Sequence, residues 1–138
     1  MKRTLILESQ FTAAHFYKND AFTEKENKKH FGKCFTKHGH GHDYRLEVGF
    51  QISPTSTDAK LTAARDHLQK QLQKLTLRLD HQHLNFDVPE FKKTIPTTEN
   101  ILLYFEKKIS ALKIKNELIF IKLFETKDLW SEKYYVTD

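Results

Sequence analysis

His40-Gly41-His42-Asp43-Tyr44-Arg45-Leu46-Glu47-Val48-Gly49-Phe50-Gln51-Ile52-Ser53 is the stretch that decides the fold. His40, His42, Tyr44, Leu46, Val48, Phe50 and Ile52 alternate with Gly41, Asp43, Arg45, Glu47, Gly49 and Gln51, a period of two that puts the first set on one face of a strand. That face is apolar from Tyr44 onward and begins with two imidazoles. Pro54 and the Thr55-Ser56-Thr57-Asp58 cluster end the strand and offer caps for a helix.

Downstream, Leu61, Ala64, Leu68, Leu72, Leu75 and Leu79 recur at three- and four-residue steps, which predicts a helix of about twenty residues with one apolar face. A second helix follows Pro96-Thr97-Thr98-Glu99, with Leu102, Phe105, Ile109 and Leu112 on one side. Leu118 to Phe124 reads as a buried strand, and Leu129 to Val136 as its hairpin partner. Upstream, Thr4 to Ala14 is β-tolerant and partly alternating, a first strand, while the charged stretch Lys18 to Lys33 reads as a long loop. The order ββααββ predicts an α+β fold, an antiparallel four-stranded sheet with two helices on one face. At 138 residues the chain, 1–138, is expected to be a single domain.

Composition narrows the function classes. With 38% hydrophobic and 30% charged residues, the chain reads as a globular protein rather than a disordered or membrane-embedded one. Met1 to Phe11 holds only the short apolar run Leu5-Ile6-Leu7, too little for a secretory signal. The formal charge of +5 favours a phosphorylated ligand weakly, and the lysines are too scattered to suggest nucleic acid. No membrane partner is expected. A single cysteine, Cys34, cannot form an internal disulfide, which fits a reducing, cytoplasmic setting and leaves either a buried structural residue or a free thiol with chemistry to do.

Histidine placement supplies the chemistry. Five of the eight histidines fall at 15, 38, 40, 42 and 81, in segments that also hold Cys34 and Asp80. Two histidines at i and i+2 on a strand project from one face and can reach one metal. Spacing alone allows 38/40 or 40/42. Alternation selects 40/42, because Tyr44, Leu46 and Val48 carry that face into the core. A catalytic zinc site takes three protein ligands and keeps a position open, and His15, at the end of the first strand, is the natural third ligand.

The chain resembles the 6-pyruvoyl-tetrahydropterin synthase family, which includes the 6-carboxy-tetrahydropterin synthases of queuosine biosynthesis. The resemblance covers nearly the whole chain and rests on six segments in the family's order: Phe11-Thr12-Ala13-Ala14-His15, Phe31-Gly32-Lys33-Cys34, His40-Gly41-His42-Asp43-Tyr44, Leu79-Asp80-His81 with Leu84-Asn85, Pro96-Thr97-Thr98-Glu99-Asn100, and Glu125-Thr126. It implies a T-fold (tunnelling fold) in which trimers form a barrel and two trimers stack into a homohexamer, with active sites between subunits. One Zn2+ per subunit would sit on His15, His40 and His42, and the substrate would be a pterin triphosphate, 7,8-dihydroneopterin triphosphate. Cys34 matches the family's general base, with Asp80 and His81 as its partners. Glu125 matches a pterin anchor, and Thr97 and Thr98 fall where the family contacts the pterin.

Local sequence offers plainer roles for several of these. Asp80 and His81 also suit a helix-terminal cap and a surface histidine, Glu125 an ordinary strand end, and Thr97 and Thr98 helix capping. Five residues separate Cys34 from His40, as in the pyruvoyl-forming branch, whereas His38 recreates the three-residue spacing of many carboxy-forming members. The pyruvoyl product is the leading expectation. The carboxy product is the alternative, and a non-catalytic zinc- or pterin-binding protein is the second. The segment Ser56 to Lys60 lacks the Asp-Phe signature that follows the second strand in many members.

Overall fold

The computed structural model describes residues 3–136. Its elements are β1 (Arg3–His15), α1 (Glu24–Phe31), β2 (His40–Ile52), α2 (Asp58–Leu77), β3 (Gln82–His83), α3 (Leu84–Asp87), α4 (Thr98–Ala111), β4 (Leu118–Thr126) and β5 (Leu129–Tyr134). The strands form one sheet in the order β3-β1-β2-β4-β5.

This α+β arrangement corrects the expected sheet. There are five strands rather than four, and the sheet is mixed, because β3 runs parallel to β1, pairing Ala13 with Gln82 and Ala14 with His83. Two residues are too few to carry a period of two, so nothing in the sequence pattern announces β3. Beyond those two pairs, the outer edge of β1 has no strand partner among the described residues, and β5 forms the opposite edge.

The expected loop from Lys18 to Lys33 contains α1. Its start is a capping box: Glu26 N donates to Thr23 Oγ1 at 3.2 Å, and Thr23 N donates to Glu26 Oε1 at 3.3 Å. The run of charges hid this signal. The helix stops at Gly32, whose φ of 54° suits a residue without Cβ. A single 3-10 turn, Gly32–Cys34, then delivers the cysteine.

β1 and β2 pair antiparallel from Arg3↔Ile52 to His15↔His40. Their shared inner face is the alternating set: Leu7, Phe11 and Ala13 opposite Tyr44, Leu46, Val48 and Phe50, all buried. Phe11 and Tyr44 stack at 4.9 Å between ring centroids with 7° between planes. α2 lies over β1 through Leu68, Leu72 and Leu75, and α4 covers β4 through Ile101, Leu102, Phe105 and Ile109. Each of these side chains contributes about 1.5–3 kcal/mol on full burial. Thr57 and Thr97 cap the two helices, accepting from Lys60 N at 3.3 Å and Asn100 N at 3.1 Å. At the His15 and His40 end, the inner face changes from apolar to polar. The core therefore acts as a floor beneath a cluster of imidazoles.

Candidate metal centre and active site

Three strands converge on the cluster. Registers of β1 against β2 set His15 beside His40 and Ala13 beside His42. The pairing of Leu46 with Leu123 on β4 brings Glu125 up on the same face, level with Tyr44. His15, His40, His42 and Glu125 each offer one donor atom, and all four atoms lie within 4.8 Å of one another.

The donor chemistry fits a cation. His15 is fully buried, and its Nδ1 lies 2.8 Å from the Pro96 carbonyl oxygen. A carbonyl only accepts, so Nδ1 carries the proton and Nε2 presents a lone pair. Tyr44 Oη, 3.2 Å from the same Nδ1, shares that proton. On the other side of the ring, Glu125 Oε1 is 3.2 Å from His15 Nε2 and 2.9 Å from His42 Nε2. Both nitrogens are shut off from solvent and make no hydrogen bond of acceptable direction. A lone pair facing a carboxylate oxygen at that distance is repulsive unless positive charge lies between them. Three imidazoles and a carboxylate can hold a divalent metal ion.

Electrostatics agree. Burial pushes the Glu125 carboxyl up, but the neighbouring His15 imidazole, the hydrogen bond from Thr98 and the His42 imidazole outweigh it and hold it below the usual range. Thr98, itself buried, donates its hydroxyl proton to Glu125 Oε2 at 2.8 Å. His40 and His42 sit below the ordinary imidazole value, through burial first and then neighbouring imidazoles, against the pull of Glu125. Folded, they resist protonation; unfolded, they take up protons near about pH 6.5. Stability tied to them is present above that pH and is lost as pH falls through the folded values. Protons also compete with a metal for the same nitrogens. We expect metal affinity and the Tm of the metal-free chain to be level above about pH 7 and to drop below about pH 6.5, measurable by metal titration and thermal unfolding across that range.

The loop before β2 is tightly held. Gly39 has φ of 77°, and a Cβ there would lie 2.2 Å from the His15 carbonyl oxygen. The His83 Nε2 donates to the His38 carbonyl at 3.0 Å. His38 thus meets β3 through its main chain and is not part of the donor cluster. Gly39→Ala should destabilise the fold by about 2–4 kcal/mol, because the strained φ and the backbone clash act together. Denaturant unfolding of the purified variant checks this.

The other candidate residues divide between two places. Cys34 is half-buried at the end of its 3-10 turn, and its carbonyl accepts from Tyr17 N at 2.7 Å. Thr97 is the α4 cap, so of the threonine pair only Thr98 reaches the cluster through its side chain. Asp80 and His81 pair with each other, His81 Nδ1 to Asp80 Oδ2 at 2.9 Å, but at the outer edge of β1. There Thr12 N donates to Asp80 Oδ1 at 2.8 Å, and that bond and the pairing with His81 hold the Asp80 carboxyl low. His81 has φ of 59° and an exposed ring. No hydrogen bond or ion pair among the described residues joins this pair to Cys34 or to the cluster.

Several residues that local sequence did not single out complete the site. Pro96, Tyr44 and Tyr17 surround His15, with the Tyr17 ring edge-on to it at 5.2 Å between centroids. Burial first, then the Glu125, Cys34 and Glu99 charges, pushes the Tyr17 phenol well above its ordinary pKa. Asn85 grips the main chain of Phe16 from both sides, at 2.9 and 3.0 Å. Only an unexplained aromatic beside a candidate ligand could have flagged Tyr17.

The family model described as 6-pyruvoyl tetrahydropterin synthase matches residues 4–134. The 6-pyruvoyl tetrahydrobiopterin synthase of Dictyostelium discoideum is 34% identical over 131 residues, covering 93% of this chain and 94% of its own. The protein of the same name from Homo sapiens is 33% identical over 119 residues, covering 84% of this chain and 80% of its own. The solved structure of the Caenorhabditis elegans 6-pyruvoyl tetrahydropterin synthase superposes with a TM-score of 0.85 at 29% identity, covering 99% of this chain and 97% of that one.

Proposed function

From the premise that the chain belongs to the 6-pyruvoyl tetrahydropterin synthase family, we propose that it is a zinc-dependent lyase, a single domain over residues 1–138, converting 7,8-dihydroneopterin triphosphate to 6-pyruvoyl-tetrahydropterin with release of triphosphate. The observation that carries this reading is the converging donor set of His15 and Glu125, both buried, with His40 and His42, both half-buried. Zinc held there would supply Lewis acidity to the substrate's side-chain hydroxyls.

The chain's own groups do the rest. His15 is kept in one tautomer by Pro96, which aims its free lone pair at the cluster. Cys34 is the base that takes a proton from the substrate side chain. His81 carries that proton onward, and Asp80 fixes its orientation. Ring recognition falls to Glu125 with Thr97 and Thr98. Both Glu125 oxygens already face partners, so Glu99, an exposed carboxylate on the first turn of α4 within the field of Tyr17, shares that task. Beside Phe16, a cleft of about 490 Å³ carries Lys92 and Lys93, charges suited to a triphosphate, with Lys18 paired to Asp20 at its rim.

Because Asp80 and His81 bond to the edge of β1 and make no hydrogen bond or ion pair with the Cys34 turn among the described residues, a second copy of the chain would complete each site. A homohexamer built as two stacked trimers meets that need, and light scattering giving the mass of six chains checks it. No helix among the described residues is long and apolar enough to cross a membrane.

The deciding experiment is incubation of zinc-loaded protein with 7,8-dihydroneopterin triphosphate, followed by mass analysis. A pyruvoyl product and free triphosphate are expected; absence of triphosphate release would end this reading. The carboxy-forming alternative leans on the short spacing from Cys34 to His38, and the exclusion of His38 from the donor set favours the pyruvoyl product.

A further inference from the structure

The chain leaves β1 by sending two consecutive aromatic residues in opposite directions. Phe16, clamped by Asn85, turns its ring outward against His83 at 5.5 Å and Phe86 at 5.4 Å between centroids. Tyr17 turns inward. Its N–H donates to the Cys34 carbonyl at 2.7 Å, and its ring stands edge-on to His15 at 5.2 Å and to Phe31 at 5.9 Å. Burial and the Glu125, Cys34 and Glu99 charges around it keep the phenol protonated.

That neighbourhood is rich in acceptors and poor in donors. Thr98 has one hydroxyl proton, and it goes to Glu125 Oε2. The imidazole nitrogens of the cluster present lone pairs, and the carboxylates only accept. The Tyr17 O–H is a neutral donor on a ring held at its base by the Cys34 loop and along its edge by His15, so it needs little reorganisation to meet a ligand. Through its main chain Tyr17 joins Cys34, and through its ring it joins His15, so it links the turn that carries the thiol to the donor cluster.

We propose that Tyr17 contacts the substrate, its hydroxyl donating a hydrogen bond to an oxygen of the substrate side chain that lies between Cys34 and the metal donors. This rests on the lyase reading above and adds to it a residue that reads the oxygenated side chain rather than the ring.

Tyr17→Phe removes the hydroxyl and keeps the ring packing and the main-chain bond to Cys34. With zinc-loaded protein we expect kcat/KM for 7,8-dihydroneopterin triphosphate to fall about three- to tenfold, the worth of one neutral hydrogen bond. Binding of neopterin, followed by its fluorescence, should weaken by a similar factor, with metal content and Tm as in the parent. Equal turnover and equal neopterin affinity in the two proteins would overturn the assignment. So would a loss of metal or a lowered Tm in the Phe variant, which would make the phenol a structural support. If the parent releases no triphosphate while the Phe variant still binds neopterin more weakly, the lyase reading fails and the Tyr17 contact stands.

Discussion

Cys34→Ala is expected to leave zinc bound at the parental level and to lower kcat by about 10²–10⁴-fold, the range a positioned general base contributes. The two effects separate because Cys34 stands outside the donor set, on a short turn after α1, tied to the fold through its carbonyl rather than its thiol. Alanine preserves that main-chain bond. Metal analysis and turnover on the same preparation decide the matter. Unchanged kcat would remove Cys34 from the chemistry.

His42→Ala should show the opposite pattern, with metal and activity lost together. His42 Nε2 faces Glu125 at 2.9 Å without a hydrogen bond of its own, so its removal takes away a direct ligand. The loss of affinity should exceed the about 10–100-fold typical of changes behind the ligands. His42 is partly exposed, and alanine on a paired strand is tolerated, so the variant should fold. Competition with a chromogenic chelator gives the affinity. Stoichiometric zinc held as tightly as in the parent would mean that His42 is not a ligand.

Much of this architecture was legible in the residues alone, and the reasons for success and failure are local. β2 declared itself because Tyr44, Leu46 and Val48 must alternate to reach a core on one side only, and the same alternation chose His40 and His42 over His38. α2 and α4 declared themselves through leucines and aromatics at helical spacing. α1 was hidden because lysines and glutamates on a solvent-facing helix look like loop residues, although Thr23 and Glu26 mark its start. β3 was illegible because it exists only as an addition to β1.

At the site, the three histidines could be read because strand geometry places them. The intimacy of Glu125 with them could not, since it depends on β4 lying against β2 with Leu123 opposite Leu46, a register that no local pattern specifies. Likewise, Asp80 and His81 could be matched to the family's residues, but only the pairing of His81 N with the Thr12 carbonyl shows that they belong to the sheet edge.

That edge has a consequence for the chain as a material. From Arg3 to Leu7 the outer side of β1 offers main-chain groups that no other strand among the described residues takes up, and β5 does likewise beside exposed Leu129, Trp130 and Tyr134. Open, apolar edges recruit other strands indiscriminately. A newly made subunit is therefore in a race between orderly pairing and aggregation, and its yield on refolding should fall steeply when single chains linger unpaired at elevated temperature.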